Sequence, residues 1–350
     1  MVRLKDIARV AGVSVTTVSK VLNNRGDEFG ISQETQKRVR EIARQMNYQP
    51  HKEARNLRLG KRYSSILFLS LYEGRTKGAE GFFSHPFFGE LMHQIQAEVS
   101  RSGCYLSYVA VTEESMPAVR TLIQDRISGV VTCGTMSPEL AKLLQRSRLP
   151  VAAIEPYTSP AGAFHEVYVD NAQAIALALA YLHRCGYGQL VLADTRLAGE
   201  KSNPVFSERV AAWEHHSRSY PDIAASVETF HRDPGTSDIT AGEVLGERII
   251  ARLKPPFGVV AVNDLTAMGV MYAAQRHGLR IPEDLAVVGI DDIEWAASHK
   301  PALTTVRIRK DLLAREAVAY VSAALRGTTV EPSVVRVPVE LVVRDTTPKL

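Results

Sequence analysis

LKDIARVAGVSVTTVSKVLNN, residues 4–24, reads as two short helices joined by a tight glycine turn, a helix-turn-helix. Leu4, Ile7, Ala8 and Ala11 recur at three- and four-residue steps, so they share one face of a first helix. Gly12 permits the sharp reversal and Ser14 caps the second helix. There Val18, Val21 and Leu22 turn inward, leaving Val15, Thr16, Ser19, Lys20 and Asn23 toward solvent. Hydroxyls, amides, a methyl group and a cation are what a major groove reads. An ordinary buried helical hairpin with a polar outer face is the competing reading of this stretch alone.

Working outward, charge favours the groove. Residues 1–62 hold 14 Lys or Arg against 6 Asp or Glu, a net of +8, while the whole chain carries only +4. A basic amino-terminal module on an acidic body is the footprint of a phosphate-binding headpiece, not of a uniformly basic protein. Ser32 should cap a third helix reaching Met46, with Thr35, Val39, Ile42, Ala43 and Met46 as its inward stripe. Tyr48 and Pro50 end it. The following HKEARNLRLGKR sets Ala54, Leu57 and Arg58 at helical spacing with almost no apolar face of its own. A leucine among basic residues fits either a minor-groove wedge or a flexible cationic linker.

From residue 65 onward, short apolar runs (66–71, 106–111, 130–132, 151–154, 190–193, 259–262 and 286–290) alternate with helical patterns (88–101, 117–126, 172–185, 207–217, 239–253, 265–277 and 311–325). Such alternation predicts parallel sheets wrapped by helices, and the length predicts two of them, with a ligand crevice at the carboxyl ends of the strands. The loop from 72 to 85 is long enough to cover that crevice.

Enzyme signatures are missing: the chain has no phosphate-binding P-loop, no dinucleotide fingerprint and no nucleophile elbow. Cys104, Cys133 and Cys185 are far apart, so neither a zinc site nor a disulfide framework is indicated. His215 and His216 diverge on a helix and cannot share a metal as an i, i+4 pair would. The sequence thus implies no catalytic residues, no metal and no cofactor. Without a signal-peptide core or an apolar run of spanning length, it predicts a cytoplasmic protein with no membrane partner.

Residues 4–24, the N-Y-x-P at 47–50 and the A-R-x-L at 54–57 together resemble the headpiece and hinge of the lactose/galactose repressor (LacI/GalR) family. The resemblance continues through VYVDN at 167–171, AVNDLTAMG at 261–269, PEDLAVVGIDD at 282–292 and PALTTV at 301–306, and so covers essentially the whole chain. It implies an α plus α/β architecture. Residues 1–50 would form the helix-turn-helix headpiece, 51–62 the hinge helix, and 63–350 a two-lobed periplasmic-binding-protein-like body. Lobe one would comprise 63–160 plus 294–326, and lobe two 161–293 plus 327–350.

By the same resemblance, Arg3, Leu4, Ser14, Val15, Thr16, Ser19, Lys20, Asn23, Ser32, Thr35, Tyr48, His51, Ala54, Arg55, Leu57 and Arg58 would face DNA. Phe87, Phe88, Glu155, Arg209, Asn263 and Asp291 would line the effector site, whereas Asp264 reads better as a helix cap. The function implied is a repressor that binds palindromic operator DNA as a homodimer and is switched by a small molecule, a sugar or sugar derivative. A sugar- or nucleobase-binding protein whose DNA binding depends on a corepressor or protein partner is the alternative. The chain ends soon after LVVRDTTP with no leucine heptads, which favours a dimer over a tetramer.

Overall fold

The computed structural model describes residues 4–350 except 23–24, 47, 49–63, 72–84, 126, 158–161, 198–202 and 234. The chain divides into two units, Met1–Tyr63 and Ser64–Leu350. Of the expected DNA-facing positions, Arg3, Asn23, His51, Ala54, Arg55, Leu57 and Arg58 lie outside the described residues, as does most of the loop preceding His85.

The first unit packs α1 (Leu4–Ala11), α2 (Val15–Leu22) and α3 (Gln33–Gln45) around Ile7, Ala8, Ala11, Val18, Val21, Val39 and Ala43. Gly12 turns the chain at φ +66°, and the Ser14 hydroxyl accepts the Thr17 amide at 3.0 Å. Ser32 caps α3 by accepting the Thr35 amide at 3.3 Å. One element of the expected stripe is displaced. Gln36, not Thr35, is the polar residue taken into the core, because its amide is satisfied there by Asp27 and the Ile31 carbonyl. Ser32→Ala should remove the cap and lower headpiece stability by about 1 kcal/mol, read as a shift in its denaturant midpoint.

The second unit contains two six-stranded sheets. Strands β1 (Ser65–Ser70), β2 (Tyr105–Ala110), β3 (Gly129–Cys133), β4 (Val151–Ile154), β5 (His165–Val169) and β11 (Val334–Val337) form the first, in the all-parallel order β11-β5-β4-β3-β1-β2. Strands β6 (Gln189–Leu197), β7 (Ala224–Arg232), β8 (Phe257–Ala261), β9 (Leu285–Asp291), β10 (Thr304–Ile308) and β12 (Val339–Val342) form the second, ordered β12-β10-β9-β8-β6-β7. Only β12 runs antiparallel to its neighbour. Helices α4 (Pro86–Arg101), α5 (Met116–Asp125), α6 (Pro138–Ser147) and α12 (Lys310–Leu325) belong with the first sheet; α7 (Asn171–Arg184), α8 (Pro204–Ser217), α9 (Asp238–Arg252), α10 (Asp264–Arg276) and the short α11 (Glu294–Ser298) belong with the second. The central strands are buried on both faces, which is why they read as continuous apolar runs.

The chain crosses between lobes at Asp170, Arg309 and Pro338, later than the expected positions near 160, 293 and 327. The reason is that each crossing waits for a short strand to finish its sheet. His165–Val169 stays in lobe one beside β4, Thr304–Ile308 stays in lobe two beside β9, and Val334–Val337 returns to lobe one beside β5. Lobe one is therefore 64–169 plus 310–337, and lobe two 171–308 plus 339–350.

Candidate functional site

A cleft lies at the carboxyl ends of the central strands of the second unit, with both lobes contributing to its wall. All six expected effector-site residues line it. His85, Val169, Asn203, Val205, Phe206 and Ile308 line it too. Of these, Phe206 was within reach of sequence reading, since it lies three residues before Arg209 on the first turns of α8. His85 and Ile308 carried no separate signal.

Backbone strain concentrates here. Among the described residues, five non-glycine positions have positive φ, and four of them, Glu155 (+54°), Tyr157 (+40°), Asp291 (+135°) and Asp292 (+52°), sit just past β4 or at the end of β9. Such conformations persist only when their surroundings enforce them. Lys310, itself buried, supplies part of that enforcement by donating to the carbonyls of Asp291 (2.7 Å) and Asp292 (3.3 Å). Arg344 and Arg307 hold the Asp292 carboxylate, each at 2.6 Å.

The cleft places two buried carboxylates near one buried guanidinium. Glu155 Oε1 accepts the Val169 amide at 2.6 Å, while its buried Oε2 has no hydrogen-bond partner among the described residues. Burial pushes this carboxyl up to about 7, against the lowering pull of Tyr157, the Val169 amide and Arg209. Asp291 is raised far above the usual carboxylate range, again by burial first, with Arg209 and Lys310 opposing and Asp264 adding to the rise. Among the described residues no hydrogen bond reaches the Asp291 carboxylate. Arg209 is held in place from behind: its Nε donates to Asn171 at 2.9 Å and Nη1 donates to the Val262 carbonyl.

Phe87 and Phe88 meet edge to face, with ring centroids 5.2 Å apart, and Phe206 lies 5.9 Å from the Arg209 guanidinium. Asn263 reaches the cleft wall with its amide already engaged, capping α10 through Thr266 and donating to Asp238 at 2.9 Å. Asp264 is fully buried and accepts from Thr305 and from the Ile293 amide, a structural cross-brace. Across the mouth, Tyr157 of lobe one donates to Glu208 of lobe two at 3.1 Å, and Asn171 joins the same carboxylate at 2.9 Å.

In the first unit, the described groove-facing candidates fall on one module. Ser14, Val15, Thr16 and Ser32 are exposed; Leu4, Ser19, Lys20, Thr35 and Tyr48 are half-buried. The Lys20 ammonium lies over the Phe29 ring rather than free in solvent, and Tyr48 packs against the headpiece core.

Residues 3–51 match the family described as bacterial regulatory proteins, lacI family, and residues 179–347 match a periplasmic binding protein-like domain. Among curated proteins, the chain is 27% identical over 356 residues to the HTH-type transcriptional repressor PurR of Vibrio campbellii, covering all of both chains. It is 28% identical to PurR of Vibrio cholerae, covering 99% of this chain and 98% of that one. Among solved structures, the lac repressor dimer bound to operator and the anti-inducer ONPF shares the fold with a TM-score of 0.74, 22% identity and 99% coverage of each chain. The transcriptional regulator CelR–cellobiose complex does so with a TM-score of 0.66 and 22% identity, over 99% of this chain and 100% of that one.

Proposed function

The chain belongs to the lacI family of bacterial regulatory proteins, and from that premise we propose a cytoplasmic, ligand-switched repressor that binds double-stranded operator DNA as a homodimer. The observation that carries this reading is the pairing, in one chain, of an exposed polar face on α2 within a strongly basic module and a two-lobed cleft holding a buried carboxylate, Glu155, one of whose oxygens has no hydrogen-bond partner among the described residues. Two headpieces read the half-sites of a palindrome, with Val15, Thr16 and Lys20 toward base edges and Leu4, Ser14, Ser19, Ser32, Thr35 and Tyr48 around the phosphates. Arg3 and Asn23 extend that contact. His51, Ala54, Arg55, Leu57 and Arg58 form the hinge, where Leu57 wedges into the minor groove. Among the described residues no helix is long and apolar enough to cross a membrane.

The cleft's chemistry selects the effector. Two buried carboxyls beside one guanidinium offer acceptors to a ligand rich in hydroxyl donors. Glu155 Oε2 and Asp291 accept from it, Arg209 donates to it, and the phenylalanines cover a ring face. A sugar or sugar derivative meets that description. Such a ligand binds as a ligand and is not turned over: the cleft's Arg209 and carboxylates serve recognition. Ligand-dependent closure then shifts the population that holds the hinges on DNA.

A thermal-shift panel of neutral sugars, sugar phosphates and nucleobases tests the effector class. A compound at 100 times its Kd should add about 2.7 kcal/mol, a shift of several degrees. The hit should be a neutral polyol; stabilisation by sugar phosphates alone would contradict the reading. Because ligand donors favour ionised carboxylates, binding should release protons near neutral pH, where Glu155 is partly protonated before ligand arrives. Titration calorimetry in two buffers of different ionisation enthalpy reads this directly. Equal apparent enthalpies would remove the carboxylates from the ligand contacts.

A further inference from the structure

We propose that Phe29 is a positioning residue for DNA reading: its ring holds the Lys20 ammonium in a fixed place beside the outer face of α2. This rests on the DNA-binding assignment above. The Phe29 ring centroid lies 3.5 Å from Lys20 Nζ, and the Arg25 guanidinium approaches the same ring at 5.0 Å. Phe29 remains 46% exposed and takes no part in the headpiece core, so apolar burial does not explain its place.

The turn that carries Phe29 is built to hold it there. It is a single 3₁₀ turn, Asp27–Phe29, between α2 and α3. Asp27 Oδ1 accepts from Gln33 and Gln36, each at 2.8 Å, and Gln36 also donates to the Ile31 carbonyl at 2.9 Å. Gly26 lies so close to that amide that a Cβ would stand 2.3 Å from Gln36 Cδ. The Ile31 amide returns to the Gly26 carbonyl at 3.0 Å, and Gly30 closes the turn at φ +64°. Arg25 Nε donates to Glu28 at 2.7 Å, steadying the start of the same segment. The buried glutamine therefore anchors a loop whose one aromatic side chain lies against the Lys20 ammonium of the reading helix.

The consequence concerns specificity. A lysine on a groove-facing helix is a mobile point charge on a long stem, and unless it is held it discriminates bases poorly. A cation resting on an aromatic face is attracted by the ring quadrupole, which restricts the stem before DNA arrives. Lys20 can then prefer one base instead of sampling neighbouring phosphates.

The test is selection from a randomised duplex pool with the full-length chain, compared among wild type, Phe29→Tyr, Phe29→Leu and Lys20→Met. Wild type and Phe29→Tyr should enrich the same palindrome. Phe29→Leu should lose base preference at the same half-site position as Lys20→Met, with roughly threefold weaker binding of the wild-type duplex and other positions unchanged. If Phe29→Leu keeps the preference that Lys20→Met loses, or weakens all duplexes equally, the proposal is overturned. A wild-type selection that enriches nothing would instead overturn the DNA-binding assignment, and the positioning role with it. Independently of any variant's folding, the Lys20 Cε protons should be shifted upfield by the ring current in the free wild-type protein. Unshifted resonances would also overturn the proposal.

Discussion

Asp291→Asn should raise the thermal midpoint of the ligand-free protein by roughly 5 °C at about pH 8.5 and by much less at about pH 5, while abolishing the effector response. Asp291 is buried at the end of β9, in a strained backbone conformation, with its carboxyl held well above the ordinary range by desolvation. The sign follows from linkage. A carboxyl whose folded pKa exceeds its unfolded value takes up a proton on folding, so its stabilising contribution is present in acid and lost as pH rises through the folded pKa. At most about 1.4 kcal/mol is lost per pH unit for one such group. Asparagine is neutral throughout and fills nearly the same volume. The stability difference between wild type and variant should therefore grow steadily from acid to alkaline pH. A difference that stays flat over that range would mean that Asp291 carries its charge without penalty.

Arg209→Ala should act in the opposite direction, lowering body stability by about 3–5 kcal/mol near neutral pH. Arg209 is 2% exposed and lies between Asn171, the Val262 carbonyl and the two cleft carboxyls. Removing it strands the Asn171 oxygen and the Val262 carbonyl and deletes the cation that lowers both Glu155 and Asp291. The denaturant midpoint should fall without a change in slope, and the double variant Arg209→Ala/Asp291→Asn should recover part of the loss. Independent, additive effects of the two substitutions would show that the guanidinium and the carboxyl do not interact.

The pieces of this molecule legible in its sequence are those fixed by local chemistry. The Gly12 reversal, the Ser14 and Ser32 caps and the inward faces of α1 and α2 depend on residues within one turn of each other, and they stand where the pattern put them. The central strands were legible because burial on both faces leaves an unbroken apolar run. Strands β5, β7, β10 and β11, and the first residues of β12, were missed for a different reason. His165, Glu166, Glu228, His231, Arg307, Arg336 and Glu340 interrupt their apolar character, and only pairing with a distant partner makes them strands. Missing them moved every lobe crossing.

The site shows the same division. Phe87, Phe88, Glu155, Arg209, Asn263 and Asp291 could be placed by their resemblance to family motifs, and they line one cleft. What sequence could not supply was the division of labour among them. Asn263 spends its amide on Thr266 and Asp238, whereas Glu155 Oε2 is left without a partner among the described residues. Those facts depend on how β4, β8 and β9 end relative to one another.

The central claim is that occupancy of the cleft changes the protein's hold on DNA. The most direct measurement is the Kd of the full-length chain for its selected duplex, by fluorescence anisotropy at fixed salt, with and without the stabilising sugar from the thermal-shift panel. The account predicts a change of tenfold or more, of either sign, a coupling of at least about 1.4 kcal/mol, that disappears in Asp291→Asn. A sugar that binds the cleft tightly and leaves the Kd for DNA unchanged would contradict it.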